Sequence, residues 1–290
     1  MRRYDEPGFF HICTDGKAIP WIFQDDEDFI AGVNRIGICA TITGVDTVAY
    51  VLMDNHGHFI MYGTLLACKR FIYTYKVLTG KHISRKYKIK DPLRDLPVEL
   101  IPIKSEEELM ATIAYLDRNP VVAGFKFLPN EYRWGSARYI FRESTLDIMS
   151  RRLEDIGLNE KRRLLKTRTA LPDNWKVDCN GMLIPDKSFL NVARLEKIFR
   201  SSVRYNYFLA KKLEGSIEME QGYKTFLPDK ELRPIAAQIS MTLFGTSDIK
   251  SLNVKSRIRI ARELRHGYAA TVKQVSRMVY LDTESLKGFI

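Results

Sequence analysis

Two of the chain's five histidines stand two residues apart, at His56 and His58, with Gly57 between them. On a β-strand, residues i and i+2 project from the same face, so the two imidazoles point together and can hold one divalent cation. The spacing does not fix the metal, because imidazole suits many. The plain alternative is a pair of hydrogen-bonded or solvent-facing histidines. A second pair is Tyr115 and Asn119, four apart in a stretch that reads as a helix over 105–119 and therefore expected on one face of it. The apolar stripe of that helix is Leu109, Ile113 and Leu116. At about 100° per residue Tyr115 falls off the stripe, beside Arg118 and Asn119. A phenol outside the core stripe, with an amide one turn away, can meet a metal-bound phosphate; the plain alternative is a half-buried tyrosine.

Such residues need elements to hold them. Phe9 to Thr14 reads as a strand, and Asp25-Asp26-Glu27-Asp28 opens a helix to about Ala40. Acids favour a helix start because they complement its partial positive charge; a metal cluster is the other reading of this quartet. Val45 to Met53 and His56 to Tyr62 read as strands joined at Asp54-Asn55, which is turn chemistry. Thr64 to about Leu78 is helical, a basic stretch runs from Gly80 to Pro97, and Val98 to Ile103 is a strand. Ser105 and Glu108 make a capping box for the 105–119 helix, and Pro120 stops it. The order strand–helix–strand–strand–helix–strand predicts a ferredoxin-like arrangement with one further helix, within an α+β chain. Beyond Phe141 the sequence reads as basic and helical over 145–168, irregular over 171–185, helical over 190–213, and as short helices from Lys230. The expected domains are 1–145, a connecting region 146–228, and an all-α region 229–290.

Composition narrows the function classes. The 290 residues are 45% hydrophobic and 28% charged, which excludes a disordered or low-complexity chain. No apolar run approaches the length of a membrane span. The first residues lack the apolar stretch of a secretory signal. The four cysteines show no C-x-x-C spacing and fit reduced thiols in a cytoplasmic protein. The net charge is +11. Counting along the chain, residues 1–150 hold 19 basic and 19 acidic side chains, so all of the excess lies in 151–290. Within the neutral half, Lys69 to Lys90 carries eight basic residues and no acid, interleaved with Phe71, Tyr73, Tyr75 and Tyr87. Cations that neutralise phosphates beside aromatics that stack on bases fit a nucleic-acid surface. A solvated face over core aromatics is the alternative.

Val51-Leu52-Met53-Asp54-Asn55-His56-Gly57-His58-Phe59 resembles the histidine–hydrophobe–histidine strand of the single-tyrosine, single-strand DNA transposases. Ala114-Tyr115-Leu116-Asp117-Arg118-Asn119-Pro120-Val121-Val122-Ala123-Gly124, then Tyr132-Arg133-Trp134-Gly135-Ser136, resembles their tyrosine helix and the Trp-Ser segment after it. Phe10-His11-Ile12 and the stretch from Ile22 to Phe29 resemble the start of the REP-associated branch. The resemblance spans about residues 1–140. It implies a metal-dependent endonuclease and strand transferase acting on hairpin-forming single-stranded DNA. Tyr115 would attack the scissile phosphate and leave a 5′-phosphotyrosine and a free 3′-OH. Mg²⁺ or Mn²⁺ would sit on His56, His58 and Asn119, and the protein would form a homodimer. Two positions depart from the pattern. Gly57 replaces a bulky hydrophobe that would face the core, so the strand is expected to pack less tightly there. Asp54 stands where Pro is common, as a turn residue or as an added carboxylate.

Near the end, Val254 to Arg265 reads as a basic helix closed by His266-Gly267, with Thr271 and Thr283 capping the next two. Residues 270–290 resemble the helix-turn-helix of replication-initiator and sigma-factor-like domains, which implies a last helix entering the major groove. A helical hairpin used for packing is the alternative. The DNA-contacting set read from the chain is Lys69, Arg70, Arg85, Lys86, Lys88, Arg118, Lys273, Thr283, Ser285 and Lys287. The competing functions are a catalytically silent DNA-binding regulator and a replication initiator or relaxase. The chain has no G-x-x-x-x-G-K-[ST] phosphate loop, which weakens any helicase role.

Overall fold

Alternation decides the central strand. In Gly8–Thr14 (β1), Phe10, Ile12 and Thr14 face one side, and Phe9, His11 and Cys13 the other. The computed structural model describes residues 6–16, 18, 19, 21–125, 128–142, 149–218, 227, 229–268 and 270–289, apart from the side chains of 211–218, His266 and Lys287. Asp26–Thr43 (α1) leads to the hairpin Asp46–Leu52 (β2) and Gly57–Gly63 (β3), then to Leu65–Tyr87 (α2) and Val98–Ile103 (β4). β1 pairs antiparallel with β3 and with β4, and β3 pairs antiparallel with β2, giving the order β2-β3-β1-β4.

The two faces of the sheet differ in chemistry. Phe10, Ile12, Phe59 and Met61 lie on the face covered by α1 and α2, where the Phe59 ring meets Phe71 at 5.7 Å and Tyr75 at 5.0 Å. Each such fully buried aromatic contributes about 2 kcal/mol of transfer free energy. The opposite face carries His11, Cys13, His58 and Ile60. It lies under Glu106–Asp117 (α3) and Val192–Phe199 (α6), the latter tied to β2 by the Arg194–Asp46 ion pair at 2.9 Å.

The acidic quartet is a helix start, and its counter-ions come from α2. Asp25 caps α1 by accepting from the Asp28 N–H at 3.1 Å. Asp28 is buried and accepts from Tyr87 Oη at 2.6 Å and Lys86 Nζ at 3.0 Å, and it lies 2.8 Å from His82 Nε2. Burial alone would push its pKa up. The bonds from His82, Tyr87, the Gln24 N–H and Lys86 outweigh that and hold it well below the usual carboxylate range. Lys86, expected on the DNA surface, is thus drawn into ion pairs with Asp25, Glu27 and Asp28.

Several expected boundaries move. α3 ends at Asp117, and a short helix Asn119–Val122 (α4) begins after Arg118. Pro120 has no N–H and its ring crowds the carbonyl four residues back, so one continuous helix cannot carry both Tyr115 and Asn119. The basic helix expected over 145–168 reduces to Leu158–Leu165 (α5), after the two-residue strand Arg151–Arg152 (β5), which pairs with Lys176–Val177 (β6); residues 145–148 lie outside the described residues. The 190–213 helix breaks at Arg200, in the left-handed region, into α6 and Ser202–Glu218 (α7).

The chain divides into two compact units, residues 1–117 with 130–208 and residues 118–129 with 209–290. These bounds differ from a cut near 145. In the first unit, residues 149–208 belong to the sheet domain. Asn34 donates to the Gly181 carbonyl at 2.9 Å and accepts from the Leu183 N–H at 2.7 Å, and Asn191 N–H donates to the Thr47 carbonyl at 2.9 Å. The edge of β2 is covered by residues 134–136, with Leu52 N–H on the Trp134 carbonyl at 2.9 Å and Tyr50 N–H on Ser136 Oγ at 2.9 Å.

The second unit contains Asp229–Phe244 (α8), Val254–Tyr268 (α9), Val272–Val279 (α10) and Thr283–Lys287 (α11) around Leu232, Ile260, Leu264, Val275 and Leu286. α9 runs through His266-Gly267 to Tyr268, beyond the expected stop. Thr271 caps α10 in a full capping box with Gln274. Asp282, not Thr283, caps α11. Gln274 is fully buried and donates to the carbonyls of Ala123 and Leu227, which ties residues 118–129 to this unit.

Candidate active site

Cross-strand register builds the site. Cys13 on β1 stands directly opposite His58 on β3, and His11, two residues earlier, shares their face. His11 Nε2 lies 3.0 Å from His58 Nδ1. The ligand atoms of His11, Cys13 and His58 all lie within 4.8 Å of one another, and this trio can hold a metal ion. His56, at the entry to β3, places its ring 5.1 Å from that of His58 at 89°. Its Nδ1 is 2.7 Å from Asn55 Oδ1, and Asn55 donates to the Gly16 carbonyl at 2.6 Å. A Cβ at Gly16 would come within 3.0 Å of both side chains, so only glycine lets the 15–16 turn close on them.

Tyr115 comes from α3 and stands over the trio. Its ring centroid is 5.7 Å from His58 and 6.4 Å from His11, edge-on to both. It is 47% exposed, whereas His11, His56 and His58 are buried. Its place off the Leu109, Ile113 and Leu116 stripe, all three of them buried, is the one the spacing predicts. Burial lowers the His11 pKa to about 4. Burial, and then the neighbouring His56 and His11, hold His58 well below the ordinary histidine value. Both rings are therefore neutral at pH 7, and because the bond between them uses the lone pair of one, a cation held by both would replace that bond. Burial and the nearby Glu99 carboxylate, 3.8 Å from Sγ, push the Cys13 thiol up to about 11.

The departures at Gly57 and Asp54 take physical form here. A Cβ at Gly57 would meet the Phe59 ring at 3.0 Å and Leu52 Cδ2 at 3.3 Å. The Phe59 ring thus fills the space a bulky residue would take, and Gly57 N–H donates to Thr14 Oγ1 at 2.9 Å. Gly57, Leu52 and Phe59 also line a small cavity, so the packing beside the glycine is not complete. Asp54 acts through its backbone, its carbonyl accepting from the N–H groups of Ile22 and Phe23.

The other site residues scatter. Asn119 opens α4 in the second compact unit. Lys69, Arg70, Arg85 and Lys88 are exposed on α2 or at its end. Arg118 is buried and donates to the Leu209 carbonyl at 3.1 Å, so it is a packing residue. Lys273 is exposed, and Ser285 is bonded through its N–H and its hydroxyl to Asp282. The Lys287 side chain lies outside the described residues. In α9, Arg257, Arg262 and Arg265 donate to backbone carbonyls, which accounts for part of that helix's basic character.

Sequence reasoning missed His11 and Cys13 as members of the site. The available signal was their own i, i+2 spacing in a strand already read as one. All four cysteines are free thiols. Among the described residues, no helix is long and apolar enough to cross a membrane. No protein-family model, curated protein or solved structure matches the chain.

Proposed function

We propose that the protein is a metal-dependent, single-tyrosine endonuclease and strand transferase acting on single-stranded DNA, with Tyr115 as nucleophile. The observation that carries this reading is the exposed Tyr115 ring within 6.4 Å of two buried, mutually bonded histidines. The antiparallel β2-β3-β1-β4 order supports a ferredoxin-like catalytic domain, the scaffold that the family resemblance implies. The α10–turn–α11 segment supports a helix-turn-helix in the second unit.

The donor set bears on the cation. His11, His58 and Cys13 offer ring nitrogens and sulfur, which suit transition-series divalent ions. Mg²⁺ takes oxygen ligands in a strict octahedron and fits this trio poorly. A cation held there would polarise the scissile phosphate. Tyr115 Oη would form a bond to phosphorus as the bond to the 3′ oxygen breaks. The electron pair leaves with that oxygen, which takes up a proton and ends as a 3′-OH. The phenol loses its own proton to water, which reaches the half-exposed ring. The phosphotyrosine diester conserves the broken linkage, so an incoming 3′-OH can reverse the step without ATP.

The test is a denaturing gel of protein mixed with end-labelled hairpin oligonucleotides. A slow covalent band is expected with Mn²⁺, Co²⁺ or Zn²⁺ after chelation and re-addition, weaker with Mg²⁺, and lost in Tyr115→Phe. Tight non-covalent binding with no band under any metal would favour the silent DNA-binding protein.

A further inference from the structure

α2 covers the sheet face opposite the histidines, and its outward side carries a groove of about 610 Å³ against the 91–94 loop. That volume suits a small ligand. Tyr73, Val77, Gly80, Lys81 and Ser84 recur along the helix at three- and four-residue spacing, so they form one stripe along the groove. The far wall is fixed. Lys76 Nζ donates to the carbonyls of Arg94 at 3.2 Å and Leu96 at 2.5 Å, which straps the loop to the helix.

Three features specify what the groove would take. Tyr73 at one end is 71% exposed, a ring with one side open. Gly80 lies inside a helix of 23 residues, where only proline is a poorer helix former. A Cβ there would meet Leu93 at 3.8 Å, an ordinary contact, so packing does not demand glycine. Its effect is a low floor in the middle of the groove. Lys81, Arg85 and Arg94 line the groove and make no ion pair among the described residues, although Asp91 is also in the lining. Lys86, on another side of the same helix, is taken up by three acids. A flat floor beside an open aromatic ring suits a planar heterocycle, and unpaired guanidinium groups next to it suit a phosphate.

We propose that this groove binds a nucleotide unit, its base against Tyr73 and the floor at Gly80, its phosphate on Arg85 and Arg94. The proposal goes beyond the strand-transfer reading and stands whether or not Tyr115 acts. The unit can come from a single strand or from a free nucleotide.

The test uses full-length protein carrying Tyr115→Phe, so that no covalent step intervenes. Anisotropy of a fluorescein-labelled oligothymidylate is expected to report about tenfold weaker binding for Tyr73→Ala. Gly80→Leu, which fills the floor at constant charge, should weaken binding to a similar degree, as should Arg85→Glu with Arg94→Glu. In parallel, an oligonucleotide carrying 5-iodouridine is cross-linked by light and the peptide is sequenced, with Tyr73 the expected site. Competition by thymidine monophosphate identifies a free-nucleotide pocket, and competition by oligonucleotide alone identifies a strand site; either supports the proposal. Unchanged affinity in Tyr73→Ala together with cross-links only outside α2 and 91–94 would overturn it. Tyr73 is exposed, so its replacement tests the idea even if Gly80→Leu fails to fold.

Discussion

Tyr115 and the histidines beneath it divide the labour by exposure. The Tyr115 side chain is half-exposed, while His11 and His58 are buried, neutral and bonded to each other. Cys13 sets the character of the donor set, because sulfur shifts preference toward softer cations. Co²⁺ bound to the native chain should therefore show a near-ultraviolet sulfur-to-cobalt charge-transfer band. Cys13→Ser should lose that band while His11 and His58 still bind the ion, and a band that persists would remove Cys13 from the ligand set. Gly57 gives a second prediction at this scale. Restoring a bulky residue with Gly57→Leu should destabilise the fold by about 1–3 kcal/mol, because the Phe59 ring already occupies the space. Chemical denaturation measures it, and a stabilised variant would show that the ring yields without strain.

Among the elements, the pin between α1 and α2 sets the acid response. Asp28 has a folded pKa held below its unfolded one, so the unfolded chain binds its proton first as pH falls. Its contribution is complete above about pH 4 and is lost as pH drops further. Asp28→Asn should cost about 3 kcal/mol near neutrality and flatten the acid limb of a stability profile from urea melts. Parallel acid limbs in the two proteins would contradict the assignment. In the second unit, Gln274→Ala leaves the Ala123 and Leu227 carbonyls without their partner and should cost about 2–4 kcal/mol by thermal or chemical unfolding. The element order was legible because short β-branched and aromatic runs are separated by turn residues such as Asp54-Asn55, and α1, α2, α3 and α10 begin at acids or capping hydroxyls. The end of α3 was misread because Pro120 acts back through its ring, and the break at Arg118 falls two residues before it. The His11 and Cys13 roles were hidden for another reason. Their partner His58 lies 47 and 45 positions on in the numbering, and cross-strand register is a property of the folded sheet.

At the scale of the whole molecule, the division into units was the least legible feature. The fold draws 149–208 into the sheet domain and 118–129 into the helical one, bounds that a charge count along the chain does not mark. A fragment ending at 145 would strip Asn34 of Gly181 and Leu183, and Thr47 of Asn191. It should show no cooperative unfolding by tryptophan fluorescence, whereas a fragment ending at 208 should unfold in one transition. The basic excess over 151–290 is spent in part inside the protein, where arginines hold backbone carbonyls and Asp229. The central claim nevertheless rests on one bond. A covalent complex formed on a hairpin oligonucleotide would be trimmed with nuclease and protease and read by tandem mass spectrometry. The account predicts a nucleotide joined through its 5′ phosphate to the peptide that contains Tyr115. A nucleotide on another residue, or a 3′ linkage at Tyr115, would contradict it.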